Sequence, residues 1–303
     1  MPNARTFALV LVVASLVAGG SLSLAATVDG VLDPRYGDAL AVQTTQTNLQ
    51  FTENDIFYGA ELDGAYGYVS GDTLYLLVTG TYNRFYSEPL AFPRQLQLYF
   101  DTIEGGQNPM LGAVTPSLGN FVDLQGMVGL QFDAEFTPDF WLAGSRDMFG
   151  YYTAHYAALP AAGGGPGYAL GSSELNGDGT LVGGTNPHGI RVSLDNSNTA
   201  GVSFGCGASS GAGVTTGAEW AIPLAALGNP AGEIRVSALL ADGNQGMGWV
   251  GNQVLGPLPP GTCNLGTASG VNFANIAGAQ YFTVQQPTPA VSTSWGRIKT
   301  IYR

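Results

Sequence analysis

The six residues QLQLYF, Gln95 to Phe100, carry the signature of the fold class. Leu96, Leu98 and Phe100 fall on one side of an extended chain, and Gln95, Gln97 and Tyr99 on the other. A period of two is the mark of a strand with one buried face and one wetter face. On the N-terminal side, AYGYVSGDTLYLLVTG (Ala65 to Gly80) reads as a hairpin turning at Ser70-Gly71-Asp72. Further strands are read at FVDLQGMVGLQFDAEF, YYTAHYAAL, GIRVSLD, GVTTGAEWAIPL, EIRVSALL and AQYFTV. No segment carries a helical apolar stripe beyond about two turns. The best short helix is PLAALG, Pro223 to Gly228, with proline at its start and glycine at its end. Many antiparallel strands joined by Gly and Pro turns predict an all-β fold: an antiparallel β-sandwich or jelly roll with long glycine-rich loops and at most short helices.

Composition agrees. Glycine accounts for 45 of 303 residues and charged residues for 11%, against about 25% charged in an average domain. Hydrophobic residues make up 45%, too many for a disordered chain. The formal net charge of -12 argues against nucleic acid as a partner, because phosphate binding needs a basic surface.

The chain divides into four segments. Arg5, the apolar run Phe7 to Gly20 and the small residues Ser23 and Ala25 have the pattern of a secretory signal peptide over 1–25. An uncleaved anchor is the alternative, but the run is shorter than the ~20 residues of a membrane span. No later stretch is long and apolar enough to cross a membrane. A β-sandwich domain is expected over 26–286, within which AAGGGPG, Ala161 to Gly167, is a surface loop. A Pro/Thr/Ser linker occupies 287–294. A basic, aromatic tail occupies 295–303, where Trp295, Ile298 and Tyr302 are spaced for one helical face and Arg297, Lys299 and Arg303 add charge. Nine residues are too few for a stable isolated helix. The tail is read as a sorting or attachment tag; docking on the acidic domain and a frayed end without a role are the alternatives. Export makes a disulfide the expected state of Cys206 and Cys263, with two buried thiols or half of a metal site as alternatives. Neither cysteine has a CxxC partner, which argues against zinc.

Catalytic signatures do not survive inspection. Gly207-Ala-Ser209-Ser-Gly211 matches G-x-S-x-G, but it lies in a glycine-rich run with no helix after it, and His155 and His188 both precede the serine. His155, flanked by aromatics, reads as a packed strand histidine and His188 as a turn residue. Asp133 and Glu135 would share one face of a strand, as paired carboxylates of a glycosidase or as a solvated face. Glu174, Asn176, Asp178 and Thr180 place oxygens at alternate positions, a partial calcium loop, with a polar turn as the alternative. No Glu stands at the twelfth position, which is Thr185. Asp101 and Asp195 also end strands at turns and are further candidate cation ligands. Calcium is therefore the one cofactor considered. For a ligand surface, Trp249 in NQGMGWVGNQ, with Asn252 and Gln253, is the first choice. Trp141 is ambiguous, and Trp220 is assigned to packing.

Several stretches together resemble one group of exported bacterial proteins of planctomycete type, several of which carry a C-terminal PEP-CTERM sorting segment. They are Val28 to Thr47, Ala60 to Gly80, Leu96 to Thr102, Thr185 to Val202, Thr215 to Val236 and Asn252 to Gly266. The VDGVLD start and the strand ending in FDT are also similar to family 9 carbohydrate-binding modules and DOMON-like sandwiches. The likeness implies a cell-surface or secreted β-sandwich without known catalysis. The chain departs from the sorting pattern: no Pro-Glu-Pro motif, terminal span or closing arginine cluster is present. The expected function is an exported, non-enzymatic β-sandwich that binds polysaccharide or another cell-envelope component. The alternative is a self-associating structural protein of a surface layer, matrix or filament.

Overall fold

The structure, a computed structural model, describes residues 27–49, 60–82, 94–113, 124–146, 149–244 and 247–287. Its strands are β1 (Ala41–Val42), β2 (Glu61–Ser70), β3 (Thr73–Thr81), β4 (Arg94–Asp101), β5 (Phe140–Arg146), β6 (Tyr151–Ala158), β7 (Gly167–Glu174), β8 (Val182–Gly183), β9 (Arg191–Leu194), β10 (Gly217–Pro223), β11 (Ile234–Asn244), β12 (Met247–Val254), β13 (Gly266–Thr267) and β14 (Phe282–Val284). The only helical elements among the described residues are 3-10 turns, including Leu224–Leu227, which ends at left-handed Gly228. No described helix is long and apolar enough to cross a membrane.

The strands form two antiparallel sheets facing each other as a sandwich. The smaller has the order β1-β2-β3-β10-β9, and the larger β13-β12-β11-β4-β5-β6-β7-β8, with β14 alongside β11. Both sheets pair early strands with late ones, β3 with β10 and β4 with β11. The expected hairpin is present, β2 pairing with β3 across Gly71-Asp72.

The core between the sheets is built from one face of each strand. Leu74, Leu76 and Val78 of β3 and Ala218, Trp220 and Ile222 of β10 meet Leu96, Leu98 and Phe100 of β4 and Val236, Ala238 and Leu240 of β11. A second core covers the outer face of the larger sheet. Met110, Leu130, Phe132 and Phe136 from the 102–139 connection and Leu258, Val271 and Phe273 from the 255–281 connection pack over Tyr99, Trp141 and Leu239. This extra layer corrects the expected exposure of β4: Gln95, Gln97 and Tyr99 are buried like their apolar neighbours. It also replaces the strand expected over Phe121 to Phe136, of which 121–123 lie outside the described residues. Leu124–Met127 is a 3-10 turn, and the chain from there to Phe136 is irregular. Leu124, Met127 and Leu130 are three apart and all enter the same layer, which an alternating strand would forbid.

The outer face of the smaller sheet is covered by the N-terminal segment, whose Val28 and Tyr36 pack on Tyr66, Tyr75 and Leu77. Glu219 of β10 fastens that segment. Its carboxylate accepts the Asp29 amide at 2.8 Å, the Gly30 amide at 2.9 Å and the Tyr36 hydroxyl at 2.7 Å. The sheet ends are short: β1, β8 and β13 have two residues each. The four-residue β9 gains a further bond from the Val192 amide to Gly179 O, and Thr185 donates to Ala169 beside β8.

Candidate functional site

Of the described residues that the sequence singles out, Cys206, Ser209, Asn252, Gln253 and Cys263 come together where loops 43–49, 203–211 and 259–264 meet, and the others lie elsewhere in the sandwich. Cys206 and Cys263 form a disulfide there, with a Cα–Cα distance of 4.9 Å. Around it, amide side chains satisfy irregular backbone that no strand pairs. Gln46 accepts the Gly207 amide and donates to Ser203 Oγ. Asn264 donates to the Asn48 carbonyl at 3.0 Å. The Ser209 hydroxyl accepts the Ser203 amide at 3.2 Å, a loop contact with no histidine in it.

Trp249 is on β12, paired in register with Asp242 and Thr267, and 45% exposed. Asn252 and Gln253, three and four residues on, are fully buried. Asn252 donates to the Gln46 and Thr262 carbonyls at 2.7 and 2.9 Å and accepts the Asn48 amide. Gln253 accepts the Leu62 amide at 3.0 Å and donates to the Thr45 carbonyl. These two amides position the loops rather than offer atoms to a ligand. Trp141 is buried in the second core on the outer face of the larger sheet, its Nε1 donating to Gln97 Oε1. A tryptophan with its N–H paired and its ring covered has nothing left for a ligand. Trp220 is buried between the sheets, as expected.

The carboxylates are dispersed. Asp133 and Glu135 lie in an irregular turn rather than on a strand. Asp133 accepts the Gln280 amide at 2.8 Å, and the Glu135 carbonyl accepts Arg235 Nη1 at 2.7 Å. Asp101 pairs with Arg235 at 3.3 Å, while Asp139 accepts the Thr102 and Ile103 amides. Burial raises the pKa of Asp101, Asp133 and Asp139 above the usual carboxylate range. Asp195 caps its own turn through the Ser197 amide. In the 174–180 loop, Asp178 accepts the Thr180 amide at 2.9 Å, which holds its carboxyl below the usual range, and Asn176 is in the left-handed region at φ 56°. Among the described residues, no three His, Cys, Asp or Glu side chains converge as a metal site. His155 is buried, and burial pushes it down to about 4. His188 lies in a turn with its ring 5.0 Å from that of Tyr156.

One cluster escaped the sequence reading. Glu61 and Asp63 of β2 are both buried. The register shift between Leu62 and Gly64 leaves Asp63 with no partner on β3. Two carboxylates two apart in an otherwise buried strand were the available signal. The residues that join them, Asn198 and Val202, lie more than a hundred positions away. The tail residues Trp295, Arg297, Ile298, Lys299, Tyr302 and Arg303 lie outside the described residues, as does the 1–25 segment. Comparison of the chain with family models, with curated proteins and with solved structures returned no match.

Proposed function

We propose that the protein is an exported, non-enzymatic β-sandwich that binds carbohydrate or another cell-envelope component through the disulfide-tied end, with Trp249 as its aromatic contact. The observation that carries this reading is the contrast among the described tryptophans. Trp141 and Trp220 are covered, while Trp249 presents nearly half of its surface to solvent on a strand tied to disulfide-bonded loops. A rigid aromatic side chain beside polar loops supplies contact area at low entropic cost. The disulfide fits an extracytoplasmic setting. Asp101, Asp133 and Asp139 accept backbone amides or pair with arginine instead of facing one another across a cleft, which supports a binding role over hydrolysis. The short or covered sheet ends speak against a filament built by edge-to-edge strand pairing.

The test is a glycan-array screen of the full chain, with and without calcium. We expect saturable binding that falls at least about tenfold, the equivalent of about 1.4 kcal/mol, in Trp249→Ala. A calcium requirement lost in Asp178→Asn would assign the 174–180 loop as a cation site. Silence across the array, with concentration-dependent assembly in ultracentrifugation, would replace this reading by a structural one.

A further inference from the structure

Glu61 and Asp63 form a buried carboxyl pair with unusual partners. The Asn198 amide donates to both, at 3.4 Å to Glu61 Oε1 and 3.0 Å to Asp63 Oδ2. The Thr81 hydroxyl donates to Glu61 at 3.2 Å and the Val202 amide to Asp63 at 3.0 Å. Asn196 completes the attachment of the same loop by exchanging two bonds with the Tyr82 backbone, at 2.7 and 2.9 Å. Gly201 lies so close that a Cβ there would run into the Asp63 carboxylate. The 196–202 loop is thus docked on the β2–β3 end through the two acids and the Tyr82 backbone.

Among the described residues, no Arg, Lys or His side chain pairs with either carboxylate. The titratable groups around them, among the described residues, are phenols: Tyr66 on β2, Tyr82 just after β3, and Tyr152 beside Tyr82. Burial raises all three, so they stay neutral. Two adjacent carboxylates out of water, with one shared amide between them, favour a state that keeps a proton. Burial and then the Asp63 charge push Glu61 up to about 8. Burial pushes Asp63 up to about 7 against the Val202 and Asn198 hydrogen bonds.

We propose that Glu61 and Asp63 are a proton-operated latch for the 196–202 loop, holding it docked while the pair retains a proton and releasing it when both carboxyls ionise. The loop leads directly to Cys206, so its release alters the segment that carries one half of the disulfide. The device operates at mildly alkaline pH, outside the range in which ordinary carboxylates titrate.

Hydrogen–deuterium exchange of the full chain at pH 5.5 and 8.5, corrected for intrinsic exchange, tests this. Peptides covering 196–202 are expected to lose at least about tenfold in protection at the higher pH relative to β10 peptides. Glu61→Gln, which mimics the protonated acid, is expected to abolish that loss. Equal protection at both pH values would overturn the latch, as would a Glu61→Gln protein that still loosens. Carboxyl carbon NMR titration of the unaltered protein decides the matter even if the variant does not fold. Midpoints for Glu61 and Asp63 near about 4 would sink the proposal, and midpoints near neutrality with coincident shifts at Val202 would sustain it.

Discussion

One carboxylate gathers three of the hydrogen bonds that hold the N-terminal segment in place. Glu219 stands on a strand whose other residues are apolar, and it accepts one part-buried and two buried donors. Glu219→Ala leaves two amides and one hydroxyl unsatisfied, and the expected loss is about 3 kcal/mol in urea denaturation. Glu219→Gln keeps one carbonyl acceptor and should lose less than half of that. If the two variants match, packing rather than hydrogen bonding carries the effect. Tyrosine packing reinforces the clamp: Tyr36 meets Tyr68 edge-on at 5.0 Å, and Tyr68 stacks on Tyr75 at 5.1 Å.

Among elements, the β5–β6 pair shows how closely the sandwich interior is filled. Gly144 of β5 lies against the ring and hydroxyl of Tyr152 on β6, where a Cβ would overlap them. Tyr152 is itself wedged between Tyr82 and Trp220, at ring distances of 6.2 and 6.1 Å. With the ring unable to move aside, Gly144→Ala should cost about 1–3 kcal/mol by overpacking. An unchanged thermal midpoint would mean that Tyr152 has room to shift. The disulfide acts on a different pair of elements, closing a separation of 57 residues between the loops after β9 and β12. On the chain-entropy account, its replacement by serines should remove about 4 kcal/mol, read as a lowered denaturant midpoint. An unmoved midpoint would show that the amide network alone holds these loops.

For the whole molecule, the balance of raised and lowered pKa values sets the response to pH. A carboxyl raised in the folded state binds more protons when folded, so its stabilising contribution is complete below its unfolded pKa and is lost as pH rises through the folded one. For Glu61 and Asp63 that window runs from about 4 to about 8. His155 has the opposite sign: neutral when folded, it contributes stability above about 6.5 that is lost as pH falls toward about 4. The two trends oppose each other below pH 6.5, while above it only the carboxyls titrate. The thermal midpoint should therefore decline between pH 6.5 and 8.5, more steeply in the unaltered protein than in Glu61→Gln. A flat profile across that interval would contradict the assignment.

The sandwich was legible because alternation is a local property. The hairpin over 65–80, the strands around Leu96, Val192, Trp220 and Val236, the 3-10 turn before Gly228 and the cysteine pair are all consistent with spacing, turn chemistry and composition. Strands β5, β7 and β12 were missed: burial on both faces, or glycine within the strand, removes the alternation that reveals one. The burial of Gln97 and Trp141 was equally hidden, since it depends on the 102–139 and 255–281 connections covering the larger sheet. The Glu61–Asp63 pair needs Asn198 and Val202 brought to it by the crossing from β9 to β10. Where a strand alternates in sequence or ends in turn residues, as in β2, β3, β4 and β11, its extension is written into the order of residues alone, because those preferences act between neighbours two to four apart. Which polar side chains face water and which are buried is settled only when the chain has folded, because the covering residues come from separate connections, one of them more than a hundred positions away.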